Sequence, residues 1–333
     1  MKLHFAVAAL LTIFAGNALA EQRELIPTSY EAGHFFATPE KEGGGSLRLV
    51  VDTGGPGGSG LYVLSSKAVS RLGLHARSCE IDGEADILIS RFSFAHGKAL
   101  PIVSRTPCGA VALTLDRYQP IAGEDGSLGA GYLPHFRWTF DYPKKQLWLE
   151  SSDWKAGPGM HPAKLGFVMN KRGEKGTGMP RISLAVDGQT FDILLDTGAT
   201  AFPTPAGRTA QRLQVEHGIG ATSYMTSSVI DQWHKKHPTW RIVDDGDQIG
   251  NLKSRLIEVP HIEIAGWMIG PVWFTERPDA NYSDVDGGMS SYTDKPVVGS
   301  AGANILGHFV MTLDYAGDMA WFGCVVACAT ASK

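Results

Sequence analysis

Short apolar runs broken by turn residues dominate the pattern of this chain. Its 40 glycines and 18 prolines separate runs that are alternating or continuously apolar and too short for long helices. Two continuous runs, residues 49–51 and 193–195, are each followed at once by Asp-Thr-Gly. A buried aliphatic run predicts a strand, and the glycine permits a tight turn that leaves the aspartate at the strand's end. The pattern therefore predicts many strands joined by turns, with two aspartates at equivalent strand ends.

The two triplets belong to an internal repeat. Residues 129–142 align without a gap on residues 302–315, and eight of the fourteen aligned positions are identical. A helix is predicted after each triplet, over residues 65–74 and 204–213, because Ser or Thr precedes each run and Pro205 suits a first helical turn. Such self-similarity points to a duplication and predicts two similar lobes.

Asp52 and Asp196 are the candidate catalytic residues. A lone Asp-Thr-Gly is weak evidence, since these residues favour turns in any protein, but a second copy in a matching context is strong evidence. Two carboxyl groups held close cannot both ionise, so one keeps a proton while the other is basic enough to activate water. This is the chemistry of an aspartic peptidase, which needs no metal and no organic cofactor.

With these motifs the chain resembles the bilobal, pepsin-like aspartic peptidases, and its repeats are similar to bacterial retropepsin-like domains. Asp196-Thr197-Gly198-Ala199 and residues 302–315 match the latter best. The resemblance implies an all-β fold of two homologous β-barrel lobes with short helices and a cleft between the lobes. It also implies that each motif threonine bonds to the opposite loop and that a second segment braces each loop. The supporting residues implied are Thr53, Gly54, Thr197, Gly198, Leu128, Gly129, Ala301 and Gly302.

The domain organisation follows from the repeat. We expect an N-terminal lobe over residues 21–150, a linker over residues 151–160 and a C-terminal lobe over residues 161–333. The linker is rich in Ser, Gly and Pro and follows the last apolar run of the first repeat. The second repeat is about 30 residues longer between its triplet and its closing motif, and we expect part of this surplus in residues 243–248 and 278–296.

Two departures from the family bear on the site. In pepsin-like enzymes a hairpin flap closes over the substrate, and a tyrosine usually lies at the tip of this flap. The corresponding stretch, residues 89–102, is predicted as a hairpin with a His96-Gly97 turn but has no tyrosine. Phe92, Phe94 or His96 would cover the cleft instead, or the hairpin is an ordinary surface one. Gly55 and Ala199 carry no hydroxyl next to the motifs, which predicts activity at mildly acidic to near-neutral pH.

The N-terminus predicts export. A short basic start, an apolar stretch over residues 5–16 and Ala18-Leu19-Ala20 form a signal peptide that is cleaved after Ala20. We therefore expect a secreted or periplasmic protein without a membrane anchor after cleavage. The four cysteines fit an oxidising compartment, and the simplest pairing is one bridge per lobe, Cys79 with Cys108 and Cys324 with Cys328.

The remaining composition excludes several functions. A formal net charge of −4 gives no sign of a nucleic-acid partner. No metal site is predicted, because His234 and His237 lack the glutamate of a zinc-peptidase helix. A polypeptide is the expected substrate, and a monomer is expected because one chain supplies both aspartates. The main alternative is an inactive peptide-binding module on the same fold; a glycosidase ranks lower, since twin Asp-Thr-Gly turns are not its signature.

Overall fold

The chain folds into β-sheets with only short helices. The structure, a computed structural model, describes residues 23–171, 173–285 and 287–331. The all-β fold class predicted from the sequence is confirmed. The predicted signal peptide, residues 1–20, lies outside the described residues. Within the described ranges, no helix has the length and apolar character that crossing a membrane requires.

The first half of the chain holds eleven strands and one α-helix within the described residues. Helix α1 is Ser66–Arg71. The strands are β1 Glu24–Ile26, β2 Thr28–Glu31, β3 His34–Ala37, β4 Leu49–Val51, β5 Tyr62–Ser65, β6 Arg77–Ile81, β7 Glu84–Ser90, β8 Ala112–Leu115, β9 Gly126–Leu128, β10 Arg137–Asp141 and β11 Gln146–Glu150.

The second half holds the other strands and helices. The helices are α2 Pro205–Gln211, α3 Ser227–Lys236 and α4 Ala303–Leu306. The strands are β12 Met160–Lys164, β13 Arg181–Val186, β14 Gln189–Leu195, β15 Thr200–Ala201, β16 Gly220–Ala221, β17 Ser223–Thr226, β18 Ile242–Ile249, β19 Leu252–Val259, β20 Ile262–Ile264, β21 Trp267–Ile269, β22 Val272–Arg277, β23 Gly299–Ala301, β24 Phe309–Asp314, β25 Met319–Cys324 and β26 Ala329–Thr330.

Each half builds its own large sheet around the same four-strand arrangement. In the first half, β9 lies between β4, to which it is parallel, and β5, to which it is antiparallel, and β5 is parallel to β8. In the second half, β23 stands in the same relation to β14 and β17, and β17 is parallel to β22. The internal repeat is therefore a repeat of topology, and the two lobes that it predicts are present.

A six-stranded sheet joins the two halves. Its strand order is β1-β11-β10-β24-β25-β12, so each half contributes three consecutive strands. The central pair, β10 and β24, is antiparallel and pairs Thr139 with Thr312, whose hydroxyl oxygens are 2.7 Å apart. These two threonines occupy equivalent positions in the sequence repeat. The pseudo-two-fold axis relating the lobes therefore passes between them.

Both helices predicted after the triplets form, but they do not occupy equivalent positions in the two lobes. Ser65 caps α1 and Thr204 caps α2, each through a side-chain bond to a backbone N–H, as the sequence predicts. However, α1 follows β5, and the strand equivalent to β5 is β17, which leads into α3. Helix α2 lies in an extra segment with no counterpart in the first half. The similar spacing after the two triplets concealed this difference, because an insertion happened to begin with a capped helix.

The surplus of the second half is therefore divided between two places. Leu64 and Met225 are equivalent, since they pair with Gly126 and Gly299. They lie 12 and 29 positions after their aspartates, so more than half of the surplus precedes β17. The rest lies mainly in the connection from β22 to β23, as expected for residues 278–296, whereas residues 243–248 belong to β18. Residues 151–159, within the predicted linker, hold no strand or helix, and the domain boundaries stay a prediction.

Both disulfides form as predicted, one in each half. Cys79 on β6 bonds to Cys108, 29 residues further on, and Cys324 at the end of β25 bonds to Cys328, four residues further on. The sulfur of Cys79 lies in a small buried cluster with Leu61, Ile89 and Ala110. The first bridge thus ties the edge strand β6 to the irregular segment that follows β7.

Removing the first bridge is expected to destabilise the protein more than removing the second. A bridge that closes a longer loop restricts the unfolded chain more, which gives losses of about 3.5 kcal/mol for Cys79→Ala/Cys108→Ala and about 2 kcal/mol for Cys324→Ala/Cys328→Ala in the free energy of unfolding. Urea unfolding of the two double variants measures both. Equal losses in the two variants would contradict the loop-length explanation.

Candidate functional site

The two aspartates stand at equivalent ends of equivalent strands. Asp52 directly follows β4, and its backbone N–H donates to the carbonyl of Leu128 on β9 at 3.0 Å. Asp196 directly follows β14, and its N–H donates to the carbonyl of Ala301 on β23 at 2.9 Å. The bracing segments that the resemblance implies, around Leu128 and Ala301, therefore lie beside the two loops, each as a parallel strand.

The two motif threonines cross-link the loops. The hydroxyl of Thr53 donates to the carbonyl of Leu195 at 2.6 Å and accepts from the N–H of Thr197 at 3.0 Å. The hydroxyl of Thr197 donates to the carbonyl of Val51 at 2.7 Å and accepts from the N–H of Thr53 at 3.1 Å. Both threonines are buried, so these four bonds are shielded from water. The two turns, which are 144 residues apart in the sequence, are thus in direct contact.

The motif glycines leave room for the carboxyl groups. A Cβ on Gly54 would lie 2.8 Å from Cγ of Asp196, and a Cβ on Gly198 would lie 2.2 Å from Cγ of Asp52. Each glycine also donates its backbone N–H to the aspartate of its own loop, at 2.9 Å for Gly54 and 3.1 Å for Gly198. Any side chain at either position would push the opposite carboxyl group away, so the approach of the two groups requires glycine.

A second pair of glycines, directly after the two bracing strands, lets a neighbouring backbone carbonyl come close. A Cβ on Gly129 would meet the carbonyl oxygen of Pro56 at 1.9 Å, and a Cβ on Gly302 would meet that of Thr222 at 1.8 Å. Neither glycine has a positive φ, so close approach and not backbone conformation explains them. Leu128 and Ala301, which precede these glycines, are fully buried in the core.

The two carboxyl groups are coupled and differ in their surroundings. They share a hydrogen bond, and burial is the largest cause that raises the pKa of each. The negative charge of Asp52 adds to burial and raises the pKa of Asp196 well above its ordinary value. The pKa of Asp52 is raised less, because the hydrogen bond from Asp196 and backbone N–H groups of both loops stabilise its charged form. The arrangement favours a proton on Asp196 that is donated to an ionised Asp52.

A cavity of about 420 Å³ opens beside Asp196. Its walls include Tyr224, Arg277, Tyr282 and Ser300. The Arg277 guanidinium is buried, stacks over the Tyr224 ring at 4.2 Å and pairs with Asp247 at 3.1 Å. Sequence reasoning missed Tyr224, Arg277 and Tyr282, whereas Ser300 directly precedes Ala301 in the predicted bracing segment. The one available signal was the surplus length of the second repeat, since Tyr282 lies in the long connection from β22 to β23.

A buried histidine connects the first lobe to the second active-site loop. His34 on β3 is 1% exposed, and its Nε2 lies 3.0 Å from the hydroxyl of Thr200, which is four residues after Asp196. That hydroxyl donates to the carbonyl of Gly198 at 2.8 Å. Burial lowers the pKa of His34, and hydrogen bonds to backbone groups act in the opposite direction. His34 therefore supports the backbone of the loop through Thr200, and nothing in the sequence pattern singled it out.

The predicted hairpin over residues 89–102 is wrong. Strand β7 ends at Ser90, residues 91–102 form no return strand, and β7 pairs instead with β8 further along the chain. The backbone around Phe94 and His96 instead bonds to residues 40–42, for example from Ala95 N–H to the Glu40 carbonyl at 2.8 Å. The rings of Phe92 and Phe94 are 5.3 Å apart and pack on the core. These bonds and ring contacts hold the segment against the lobe, so alternation alone was a misleading signal.

The hairpin that β7 does form is with β6, the strand before it. Its turn, Asp82-Gly83, has positive φ at both residues, which is the geometry that Asp-Gly favours between two strands. The carboxylate of Asp82 accepts a hydrogen bond from the hydroxyl of Ser59 at 2.9 Å. The tip of the hairpin is thus attached to the glycine-rich segment after Asp52. The Asp-Gly dipeptide was a usable signal for it.

The residues considered for a metal site are accounted for in other ways. His234 is exposed on α3, and His237 stacks on Trp240 and lies 3.0 Å from Asp187. In the described ranges, no three or more His, Cys, Asp or Glu side chains come together in a group that could hold a metal ion.

Comparison with known proteins adds little to this geometry. No family model matches the chain, and no curated protein matches it. Among solved structures, an aspartic proteinase from Irpex lacteus is similar at 11% identity and a TM-score of 0.48, covering 92% of this chain and 98% of that one. Basic 7S globulin from soybean is similar at 10% identity and a TM-score of 0.41, covering 91% and 95%. The strand topology and paired loops, rather than these weak similarities, identify a bilobal pepsin-like fold.

The threonine cross-link is expected to stabilise the fold strongly. Thr53→Val would leave the Leu195 carbonyl and the Thr197 N–H buried without these partners, which costs about 2–4 kcal/mol of unfolding free energy. Urea unfolding followed by tryptophan fluorescence measures the loss. Thr53→Ser is the matched control, since it keeps the hydroxyl, and similar stabilities for the two variants would contradict the role assigned to these bonds.

Proposed function

We propose that the protein is an aspartic endopeptidase that hydrolyses peptide bonds with Asp52 and Asp196. The observation that carries the proposal is the contact between two carboxyl groups at equivalent strand ends. The threonine cross-link holds their loops together, and Gly54 and Gly198 make the close approach possible. A purely structural pair of turns would gain nothing from a buried Asp196 facing a half-buried Asp52, because the mutual repulsion and the desolvation of the two carboxyl groups are unfavourable.

The proposed chemistry is general acid–base hydrolysis without a covalent intermediate. Ionised Asp52 takes a proton from a water molecule as its oxygen attacks the scissile carbonyl carbon. Protonated Asp196 polarises the carbonyl oxygen and gives it a proton as the tetrahedral intermediate forms. As the intermediate breaks down, Asp52 gives the proton it took from water to the leaving nitrogen, the C–N bond breaks, and Asp196 takes back a proton from a hydroxyl of the intermediate, which becomes the carboxyl product. The two carboxyl groups titrate as a coupled pair, so the starting state has one proton shared by the dyad. We place this proton mainly on Asp196, because its pKa is raised more than that of Asp52.

The substrate proposed is an extended polypeptide lying between the lobes. The cavity beside Asp196, with its mixture of aromatic and polar side chains, would receive one substrate side chain. We propose a monomer, since both aspartates come from one chain. We also propose that the protein acts outside the cytoplasm, in the periplasm or beyond the cell, and the two disulfides support an oxidising compartment.

Replacing either aspartate by asparagine is expected to abolish peptide cleavage. The variants Asp52→Asn and Asp196→Asn each remove one half of the acid–base pair, so we expect the cleavage rate to fall by at least about 100-fold. Cleavage of a diverse peptide pool between pH 3 and pH 8, followed by mass spectrometry and repeated with pepstatin, measures the effect.

Asp187→Asn is the matched control for these variants. Asp187 lies in the turn that leads into β14, is half-exposed and has a positive φ that asparagine tolerates. It should cleave like the parent protein. A folded, disulfide-bonded parent that cleaves nothing at any pH, yet binds pepstatin, would favour the peptide-binding alternative and contradict the peptidase.

The pH optimum is expected to lie in the mildly acidic to near-neutral range. Burial raises the pKa of both carboxyl groups, so the singly protonated pair persists to higher pH than it would between exposed groups. A profile of kcat/KM against pH locates the alkaline limb, where this last proton is lost. A maximum below about pH 3, near the titration of pepsin's own pair, would contradict the expectation.

A further inference from the structure

Two serines at equivalent positions beneath the aspartates differ in their partners. Ser127 on β9 and Ser300 on β23 occupy the same place in the two lobes, since each lies between the strand leading to an aspartate and the equivalent of β5. Both are 1% exposed. The hydroxyl of Ser127 has no hydrogen-bond partner among the described residues. The hydroxyl of Ser300 is paired with that of Tyr282, and Ser300 lines the cavity beside Asp196.

The first partner of Ser300 comes from the extra length of the second lobe. The hydroxyl oxygens of Tyr282 and Ser300 are 2.8 Å apart. Tyr282 lies in the connection from β22 to β23, which spans residues 278–298, whereas the equivalent connection from β8 to β9 spans only residues 116–125. The tyrosine of that shorter connection, Tyr118, donates its hydroxyl to Glu124, and Ser127 is left without an equivalent partner among the described residues.

The second group beside Ser300 is the Asp196 carboxyl group. On β23 Ser300 pairs with Leu194, two residues before Asp196, and Ser300, Tyr282 and Asp196 all line the same cavity. The Ser300 hydroxyl also lowers the pKa of Asp196, as a donor to the charged carboxyl group does. A serine hydroxyl has one proton, so a Ser300 that donates to Asp196 must accept from Tyr282. Tyr282 is buried, and burial raises its pKa, so its phenol stays protonated and is always able to donate. The direction of the chain is therefore fixed, from Tyr282 through Ser300 to Asp196.

We infer that Tyr282 and Ser300 are positioning residues that orient the Asp196 carboxyl group and make the two aspartates inequivalent. They provide a hydroxyl donor to Asp196 but not to Asp52. Gly55 and Ala199, which follow the two triplets, have no hydroxyl to donate. The inference deepens the proposed function and, where catalysis is concerned, rests on it. The connection from β22 to β23 thereby acquires a purpose beyond shaping the cavity.

Other groups around Asp196 do not provide the same support. Asp52 faces it from the first loop and is the carboxyl group whose charge raises the Asp196 pKa. Tyr224 on β17 donates its hydroxyl to the Thr200 carbonyl, and the Arg277 guanidinium on β22 is paired with Asp247. His34 acts on the loop through Thr200, and Tyr142 stays protonated because burial raises its pKa. Ser300 is thus the side-chain hydroxyl that donates to Asp196.

The inference is tested by carbon-13 NMR of protein labelled at aspartate, which follows the titration of both carboxyl groups directly. The variants Asp52→Asn and Asp196→Asn assign the two signals. Removing a hydrogen bond to the charged form raises the pKa of the acceptor. Ser300→Ala should therefore move the Asp196 titration to higher pH by roughly one pH unit. Tyr282→Phe should move it in the same direction by less, because Ser300 remains.

Ser127→Ala is the matched control, since it removes a hydroxyl without a partner from the equivalent strand position. It should leave both titrations where they are in the parent protein. Thermal unfolding of each variant shows that the fold is retained. An unchanged Asp196 titration in Ser300→Ala, or an equal displacement in Ser127→Ala, would overturn the inference.

The NMR measurement does not require activity, so it separates this inference from the proposed function. If the parent protein cleaves peptides, the alkaline limb of its pH–rate profile should move with the Asp196 titration in Ser300→Ala. If the parent is folded but cleaves nothing, the peptidase proposal fails, and the titrations still decide whether Ser300 supports Asp196.

Discussion

The reciprocal hydrogen bonds of Thr53 and Thr197 are the interaction on which the rest of the structure depends. Each threonine uses its one proton on a carbonyl of the opposite strand and its oxygen on an opposite N–H, so the four bonds form a closed set with no polar group left over. A buried arrangement of this kind is favourable only when it is complete. It fixes the distance between two loops that are otherwise parts of different lobes.

That fixed distance creates an electrostatic cost that the surrounding groups offset. Two carboxyl groups in contact and away from water repel each other when both are charged. Backbone N–H groups of the loops, the shared proton and the hydroxyl of Ser300 reduce this cost, but they are distributed unequally. The lobes are alike in backbone topology, while the second lobe alone has the additional connection that carries Tyr282. The asymmetry of the site thus arises from loops added to a symmetric frame.

The parts of the fold that are repeated could be predicted from the sequence, and the parts that are inserted could not. Asp-Thr-Gly after an aliphatic run, and the conserved spacing within residues 129–142 and 302–315, are local patterns that report strand ends directly. The partners of Phe94 are set by residues 40–42, more than fifty positions away, so alternation over residues 89–102 could not reveal them. The equivalence of α1 with α3 depends on strand order, which spacing alone does not contain. Tyr282, Ser300 and His34 likewise meet their partners only through tertiary packing.

The central pair of the six-stranded sheet has a consequence for how such a chain arises. Strands β10 and β24 meet with equivalent residues opposite each other, Thr139 against Thr312, and each lobe's first strand stays with that lobe's own last strands. An interface in which the same patch meets itself across a two-fold axis is isologous, the form adopted by symmetric homodimers. Two separate copies of one lobe would satisfy the same hydrogen bonds without any exchange of strands. The covalent connection is therefore dispensable for the geometry of this interface, and its effect is to let the two copies diverge independently.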